Sequence, residues 1–310
     1  IRASDVCEVR KDSFLDRVEV KLNGTEDWRL LDDNVVARLR EIISLRHDMM
    51  FSAQEMSSAV QAIGEEVQTD SAQQWLRNQV HDGVERIERF CMDILGAQPS
   101  KYAAALGWYT WVALVGRTLE PAVKVDMVPT WISAKQGTGK STTVQKMVPY
   151  KDWFGLVDLE SRDDDLSRLI KGKAVLELAE LRGLRSRDAE SIKAYLSRDT
   201  EEWVPKYREH RSYYKRRCLF IGTTNHRRFL HDATGNRRWL PIGVAETMAF
   251  LDWPTMEQNI GQYWAEARDF IRRFGSVAGA VEHCGNQVHQ LAEPFREAAT
   301  VVDEHWNALL

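Results

Sequence analysis

The residues best able to do chemistry lie between positions 128 and 143, where the sequence reads VPTWISAKQGTGKSTT. An apolar run leads into a small glycine-containing turn and then into helix-compatible residues, which is the order strand, phosphate loop, helix. Gly137 and Gly139 let the backbone adopt positive φ, so that successive N–H groups can surround a phosphate. Lys140 adds a charge for the β- and γ-phosphates, and the Ser141 hydroxyl can ligate Mg²⁺. The predicted loop for ATP comprises Gln136, Gly137, Thr138, Gly139, Lys140, Ser141 and Thr142. A chance match in a surface loop is the alternative.

Two further strands end in polar residues that could complete such a site. The apolar run at 174–178 carries Glu177 and is followed by Glu180. An acid at the carboxyl end of a neighbouring strand can hold Mg²⁺ and polarise the attacking water. Glu180 is the first choice because it lies nearest the strand end, Glu177 is the second, and Ser141 with Glu180 is the predicted metal pair. Asn225 ends the strand at 218–222 and could hold the lytic water or sense the γ-phosphate, although Asn after a strand is usually a turn residue.

Two basic features follow from the same part of the chain. Arg237 and Arg238 precede a strand at 239–243 and could act as a finger that completes a neighbouring subunit's site, with a surface ion pair as the alternative. The stretch 203–217 contains six Lys or Arg residues interleaved with Tyr. Cations neutralise phosphates and aromatic rings stack on bases, so this hairpin suits a single-stranded nucleic-acid groove or pore. A solvated charged hairpin is the alternative. The predicted contact residues are Lys206, Tyr207, Arg208, His210 and Arg211.

The elements that must position these residues divide the chain into three parts. Residues 1–120 are predicted to be mostly helical, with caps at Asp32 and Ser52 and a long amphipathic helix over 71–95. Alternating strands and helices over 121–250 are typical of an α/β core. Residues 251–310 are predicted to be helical.

Composition limits the classes of protein. The 310 residues are 44% hydrophobic and 28% charged with a net charge of −4, so any nucleic-acid contact must be local. Four widely spaced cysteines without a C-x-x-C pair indicate reduced thiols of a cytosolic protein. No signal peptide or membrane span is predicted. Since the chain begins at Ile1, we expect it to be a fragment of a longer protein.

Several motifs in this order resemble the virulence-associated E family of phage and mobile-element proteins, which belongs with the superfamily 3 helicases of the AAA+ class. The resemblance covers residues 75–243 well and the first 70 poorly. It is carried by residues 95–96, 123–126, 136–142, 172–181, 192–198, 222–225 and 234–239.

The resemblance implies an α/β AAA+ phosphate-loop core in a ring, usually hexameric, with ATP between subunits and a hairpin lining the pore. By position, Lys140 and Ser141 belong to the first motif, Glu180 is the second-motif acid, Asn225 is the sensor, and Arg237 or Arg238 is the finger. A primase partner and a location in the host cytoplasm, if a phage encodes the protein, are further implications. This sequence departs from the family at two points: Ala134 replaces a glycine, and Ala179 replaces the aspartate of many relatives.

The sequence therefore predicts an ATP- and Mg²⁺-dependent, ring-forming DNA helicase or translocase of phage or mobile-element replication. An ATP-switched DNA-binding assembly or regulatory protein without unwinding activity is the alternative. A small-molecule kinase with a phosphate loop would not need the asparagine strand or the arginine pair.

Overall fold

The computed structural model describes residues 5–181, 189–204, 211–230, 236–246 and 252–301. The chain forms two compact units, Ile1–Trp75 and Leu76–Leu310. The three-part division at residues 120 and 250 stays a prediction. Across the described ranges, no helix is both long enough and apolar enough to pass through a bilayer.

The N-terminal unit is a small sheet with two helices. Its elements are β1 (Cys7–Asp12), β2 (Arg17–Leu22), β3 (Arg29–Leu30), α1 (Asp33–His47), α2 (Ala53–Glu66) and β4 (Gln68–Thr69), with strand order β3-β2-β1-β4. Asp32 caps α1, and Ser52 forms a capping box with Glu55 at the start of α2, as the sequence predicts. Val20 and Leu39 lie in the apolar core of this unit.

The second unit is built on a five-stranded parallel sheet, which confirms the α/β class. Its strands are β5 (Val128–Ile132), β6 (Phe154–Val157), β7 (Val175–Leu178), β10 (Leu219–Thr224) and β11 (Trp239–Gly243), in the order β11-β5-β10-β7-β6. A separate antiparallel hairpin is formed by β8 (Thr200–Trp203) and β9 (Ser212–Lys215). Because parallel strands present their carboxyl ends at one edge, the residues that follow β5, β7 and β10 meet there.

Helix α3 (Ser71–Arg77) spans the division between the two units. The helices of the second unit are α4 (Phe90–Asp93), α5 (Lys101–Leu119), α6 (Lys140–Gln145), α7 (Asp163–Leu169), α8 (Ala189–Ser197), α9 (Trp253–Gln258), α10 (Ile260–Phe274), α11 (Val277–Leu291) and α12 (Glu293–Ala299). Nearly every side chain of α5 after its first turns is buried, so this apolar helix lies inside the unit and not on its surface. It packs against α10 and α11.

The long helix predicted over 71–95 is wrong. Helix α3 ends at Arg77, and Val80 and Val84, which follow it, are 78% and 53% exposed. An Asp82-Gly83 turn with positive φ at Gly83 interrupts the helix. The Glu266 carboxylate accepts hydrogen bonds from the backbone N–H groups of residues 86 and 87, where the next helical turn starts. Glu266 lies 179 and 180 residues further along the chain than these two donors.

Candidate functional site

The loop between β5 and α6 has the backbone that the sequence predicts. Gly137 and Gly139 adopt φ of +69° and +84°, which side chains beyond glycine rarely adopt. The loop borders an open cleft of about 480 Å³. Its lining residues are Gln136, Gly137, Thr138, Gly139, Lys140, Ser141, Thr142, Glu180, Asn225 and Trp253. The seven predicted loop residues, Glu180 and Asn225 are therefore together at one cleft.

One hydrogen-bonded chain in this cleft joins Lys140, Asn225 and Glu180. The Lys140 Nζ atom donates to Asn225 Oδ1 at 2.8 Å, and Asn225 Nδ2 donates to Glu180 Oε1 at 2.8 Å. Burial lowers the pKa of the Lys140 ammonium, and the carboxylates of Glu180 and Glu177 oppose that shift. Asn225 follows β10 directly, and Glu180 follows β7 with φ of +52°. The strand ends thus bring a cation, an amide and an acid within one network.

A second network joins Ser141, Glu177 and Thr223 beneath the loop. Glu177 Oε1 accepts from Ser141 Oγ at 2.5 Å and from Thr223 Oγ1 at 2.6 Å. The side chain of Glu177 is fully buried, and its Oε2 atom has no hydrogen-bond partner among the described residues. A buried carboxylate with a free oxygen, beside a hydroxyl at the mouth of a cleft, suits a hard cation.

This donor set fits Mg²⁺ brought in with a nucleotide. Such an ion keeps several waters and phosphate oxygens, and needs only one or two ligands from the protein. In the described ranges no group of three or more His, Cys, Asp or Glu side chains could hold a metal by itself. The arrangement favours Ser141 and Glu177 at the ion, and leaves Glu180 at the cleft surface. The sequence ranks these acids in the opposite order.

The two arginines do not join this cleft. Both border a different cavity of about 430 Å³, between α5, α11 and the segment before β11. The Arg238 guanidinium donates to Ser197 Oγ at 2.9 Å. Arg237 is exposed, and its guanidinium makes no hydrogen bond or ion pair to another described residue. A role for either arginine at a phosphate loop therefore requires the loop of another copy.

The basic hairpin is described only at its base. Lys206, Tyr207, Arg208 and His210 lie outside the described residues. Arg211 is exposed and pairs with Glu202 across the hairpin. Arg216 is fully buried and pairs with Glu201, and its guanidinium lies over the rings of Tyr195 and Phe220. This cation therefore stabilises the base of the hairpin and is not available to a ligand.

Two side chains at the site are not found by sequence reasoning. Thr223 lies on β10, and the β7–β10 register pairs Ile221 with Glu177, so Thr223 can reach the Glu177 carboxylate. Trp253 begins α9 and donates from Nε1 to Thr143 Oγ1 at 2.9 Å. The Thr223-Thr224-Asn225 run signals a polar strand end, but no local pattern marks Trp253 as part of a cleft beside residues 136–142.

Solved structures with a similar fold were compared with the chain. The apo structure of the NrS-1 C-terminal region (305–718) superposes with a TM-score of 0.55 and 14% identity, covering 96% of this chain and 73% of that one. A second form of that region gives a TM-score of 0.52 and 15% identity, covering 85% and 67%. At these identities the likeness concerns the fold alone. The SCCmec type IV Cch helicase gives a TM-score of 0.39 and 9% identity over 96% and 71% of the chains, too low to support an argument.

No curated protein matches this chain. The family comparison is positive, and it covers most of the second compact unit. The model of the virulence-associated protein E-like domain matches residues 76–298, which confirms the resemblance of the motifs, and the chain therefore belongs to the virulence-associated protein E-like family.

Proposed function

We propose that this protein is an ATP-driven helicase or translocase that moves single-stranded DNA through a ring of identical subunits. The observation that carries the proposal is the convergence of two acids and an asparagine on Lys140 and Ser141, at the end of a glycine loop. Membership of the family supports a role in the replication of a phage or mobile element.

Each residue of the cleft has a separate role in hydrolysis. The backbone of residues 136–142 binds the phosphates. The Lys140 ammonium gives up its hydrogen bond to Asn225 Oδ1 and donates instead to the β- and γ-phosphate oxygens. Mg²⁺, when bound, neutralises developing charge on the phosphates, and Ser141 with Glu177 would hold it. Glu180 lies at the cleft surface, where its carboxylate can accept a proton from the attacking water. Asn225 orients that water through the hydrogen bond it already makes to Glu180.

The site is completed by a neighbouring subunit. Arg237 is the better finger, because its guanidinium is exposed and without a hydrogen-bond partner in the described part of the chain, whereas Arg238 is held by Ser197. An arginine supplied in trans stabilises the charge of the transition state. A single subunit then contributes the loop on one face and Arg237 on another, which is the head-to-tail kind of contact from which a ring is built.

A mixing experiment tests the shared site. Arg237→Ala and Lys140→Ala subunits should each be inactive, but a 1:1 mixture should recover ATPase activity at about one interface in four, since only an intact loop facing an intact finger is active. Arg238→Ala mixed with Lys140→Ala is the matched control. The ATPase activity per Arg238→Ala subunit should be the same with and without the Lys140→Ala subunits. No recovery in the first mixture would exclude a finger supplied by Arg237.

The helicase reading requires that single-stranded DNA stimulate hydrolysis. Lys206→Ala with Arg208→Ala should remove the stimulation and leave the DNA-free rate unchanged. Arg272→Ala with Arg273→Ala removes two exposed charges from α10 and serves as the matched control. A wild-type ATPase that DNA binding leaves unstimulated favours the alternative, an ATP-switched assembly or regulatory protein without unwinding activity.

A further inference from the structure

Among the described residues that line the cleft, Trp253 is the one whose presence phosphate chemistry does not explain. The other lining residues are small, polar or charged, and Trp253 is the only aromatic ring among those the structure describes there. It is half-buried, so part of the indole faces the cleft. A nucleoside triphosphate has a sugar and a planar base beyond its phosphates, and these need a surface too.

The position of Trp253 is fixed from several sides. Its Nε1–H donates to Thr143 Oγ1, and Thr143 Oγ1 donates to the Gly139 carbonyl at 3.0 Å, so the ring is tied to the phosphate loop itself. Asp252 caps α9 through the N–H of Thr255, and an ion pair joins Lys146 to Glu257. Because the indole N–H already has a partner, the ring face is what Trp253 can offer to a ligand.

We propose that the indole face of Trp253 is the platform on which the nucleotide base stacks, and that it sets the preference of the site for nucleoside over plain phosphates. The inference rests on the proposed function, since it requires a nucleotide in this cleft. Stacking of a base on an aromatic side chain tolerates any base, because every base has a π-face. A purine has the larger face, so removal of the ring should weaken a purine nucleotide more than a pyrimidine nucleotide.

Calorimetric titration of the whole chain with ADP, CDP and pyrophosphate in Mg²⁺ tests this assignment. Trp253→Ala should weaken ADP binding roughly 5- to 150-fold and CDP binding by less, and leave pyrophosphate within about twofold. Trp253→Phe keeps a smaller ring and should lose less than Trp253→Ala. Thr143→Val keeps the ring but removes its hydrogen-bond acceptor, so it should fall between wild type and Trp253→Ala.

The outcomes separate ring contact from a packing role. Equal losses for ADP and pyrophosphate in Trp253→Ala would mean that the indole only positions the loop, and would overturn the inference. So would ADP binding that Trp253→Ala leaves unchanged, or a loss in Thr143→Val as large as that in Trp253→Ala. Thermal unfolding of the three variants verifies that each is folded before titration. A wild-type chain that binds neither ADP nor pyrophosphate would overturn the proposed function together with this inference.

Discussion

Replacing Glu177 with Gln should weaken Mg²⁺-dependent nucleotide binding, while Glu180→Gln should keep that binding and lose hydrolysis. Glu177 is buried behind the Ser141 hydroxyl with Oε2 unpartnered among the described residues, whereas Glu180 is exposed and accepts a hydrogen bond from Asn225. Gln keeps an acceptor oxygen for Ser141 and Thr223 but not the negative charge that a cation requires. The unliganded variant should therefore fold as wild type does.

The expected size of the effect follows from linkage. ADP with Mg²⁺ at 100 times its Kd stabilises the folded state by about 2.7 kcal/mol. A unit of this size gains roughly 2–4 °C in Tm per kcal/mol, so wild type should shift by roughly 5–11 °C. Loss of a residue that supports a metal site lowers the affinity for the metal by about 10–100-fold. At the same ligand concentration Glu177→Gln should then retain only about 0.4–1.4 kcal/mol of stabilisation, which is roughly 1–6 °C.

Thermal unfolding with ADP, with and without Mg²⁺, measures the shift, and phosphate release from ATP measures hydrolysis. Glu180→Gln is the matched acid-to-amide control and should keep the full shift. If Glu180→Gln loses the Mg²⁺-dependent shift while Glu177→Gln keeps it, the geometric assignment is refuted, and Glu180 is the metal acid that the sequence ranks first.

Three further changes test the packing and electrostatics of the second unit. Gly107→Ala places a Cβ atom 2.3 Å from the backbone oxygen of Ile87, and should lower the free energy of unfolding in urea by about 1–3 kcal/mol. Arg216→Leu removes the cation that pairs with the fully buried Glu201 carboxylate, which keeps the Ser167 hydroxyl at 2.6 Å and Arg198 at 4.0 Å, and should cost about 3–5 kcal/mol. A second change, Glu201→Leu, should restore most of that loss. Burial raises the pKa of Glu266 above 4.5, so the stability it contributes is present below pH 4.5 and lost as pH rises through the raised value. Glu266→Gln keeps the acceptor, and its stability relative to wild type should therefore rise with pH in denaturant titrations.

Each of these predictions has a control or a contrary result. Gly243→Ala adds a Cβ with nothing within 4 Å and should change the free energy of unfolding by less than about 0.5 kcal/mol. Similar losses for both glycine variants would mean that the clash at Ile87 does not set the cost. If the second change fails to rescue Arg216→Leu, the loss comes from packing rather than from an unpaired charge. Parallel pH profiles for wild type and Glu266→Gln would contradict the prediction, because they would show that folding does not change the pKa of this carboxylate.

The phosphate loop, the parallel strands and the polar strand ends could be predicted because their signals are local. A run of apolar residues, two glycines and Lys140 specify strand, turn and helix within 16 positions, from 128 to 143. The long helix over 71–95 could not be corrected from sequence, because the carboxylate that starts the turn after the break belongs to Glu266 on α10. Trp253 has the same character: its neighbour Thr143 is 110 residues away, and only the packing of α9 brings it to the cleft.

The ranking of Glu177 and Glu180 illustrates a limit of position along a strand. Nearness to the strand end favours Glu180, but the decisive quantity is which carboxylate meets Ser141 once α6 packs against β7. That meeting depends on how β5, β7 and β10 are ordered in the sheet. Strand order is a non-local property, so the acid nearest the end in sequence need not be the acid nearest the loop.

Independent of any motif, several features that cost stability lie together at this cleft. Glu180 and Leu181 both adopt positive φ, at +52° and +46°, which ordinary residues rarely do. Glu177 is buried with one carboxylate oxygen unpartnered among the described residues, and burial lowers the pKa of Lys140. Such features cost the fold stability. They cluster at functional sites, where a ligand or a reaction uses them. The strained turn after β7 and the buried acid on β7 itself therefore point to this edge of the sheet as a functional site independently of the glycine loop.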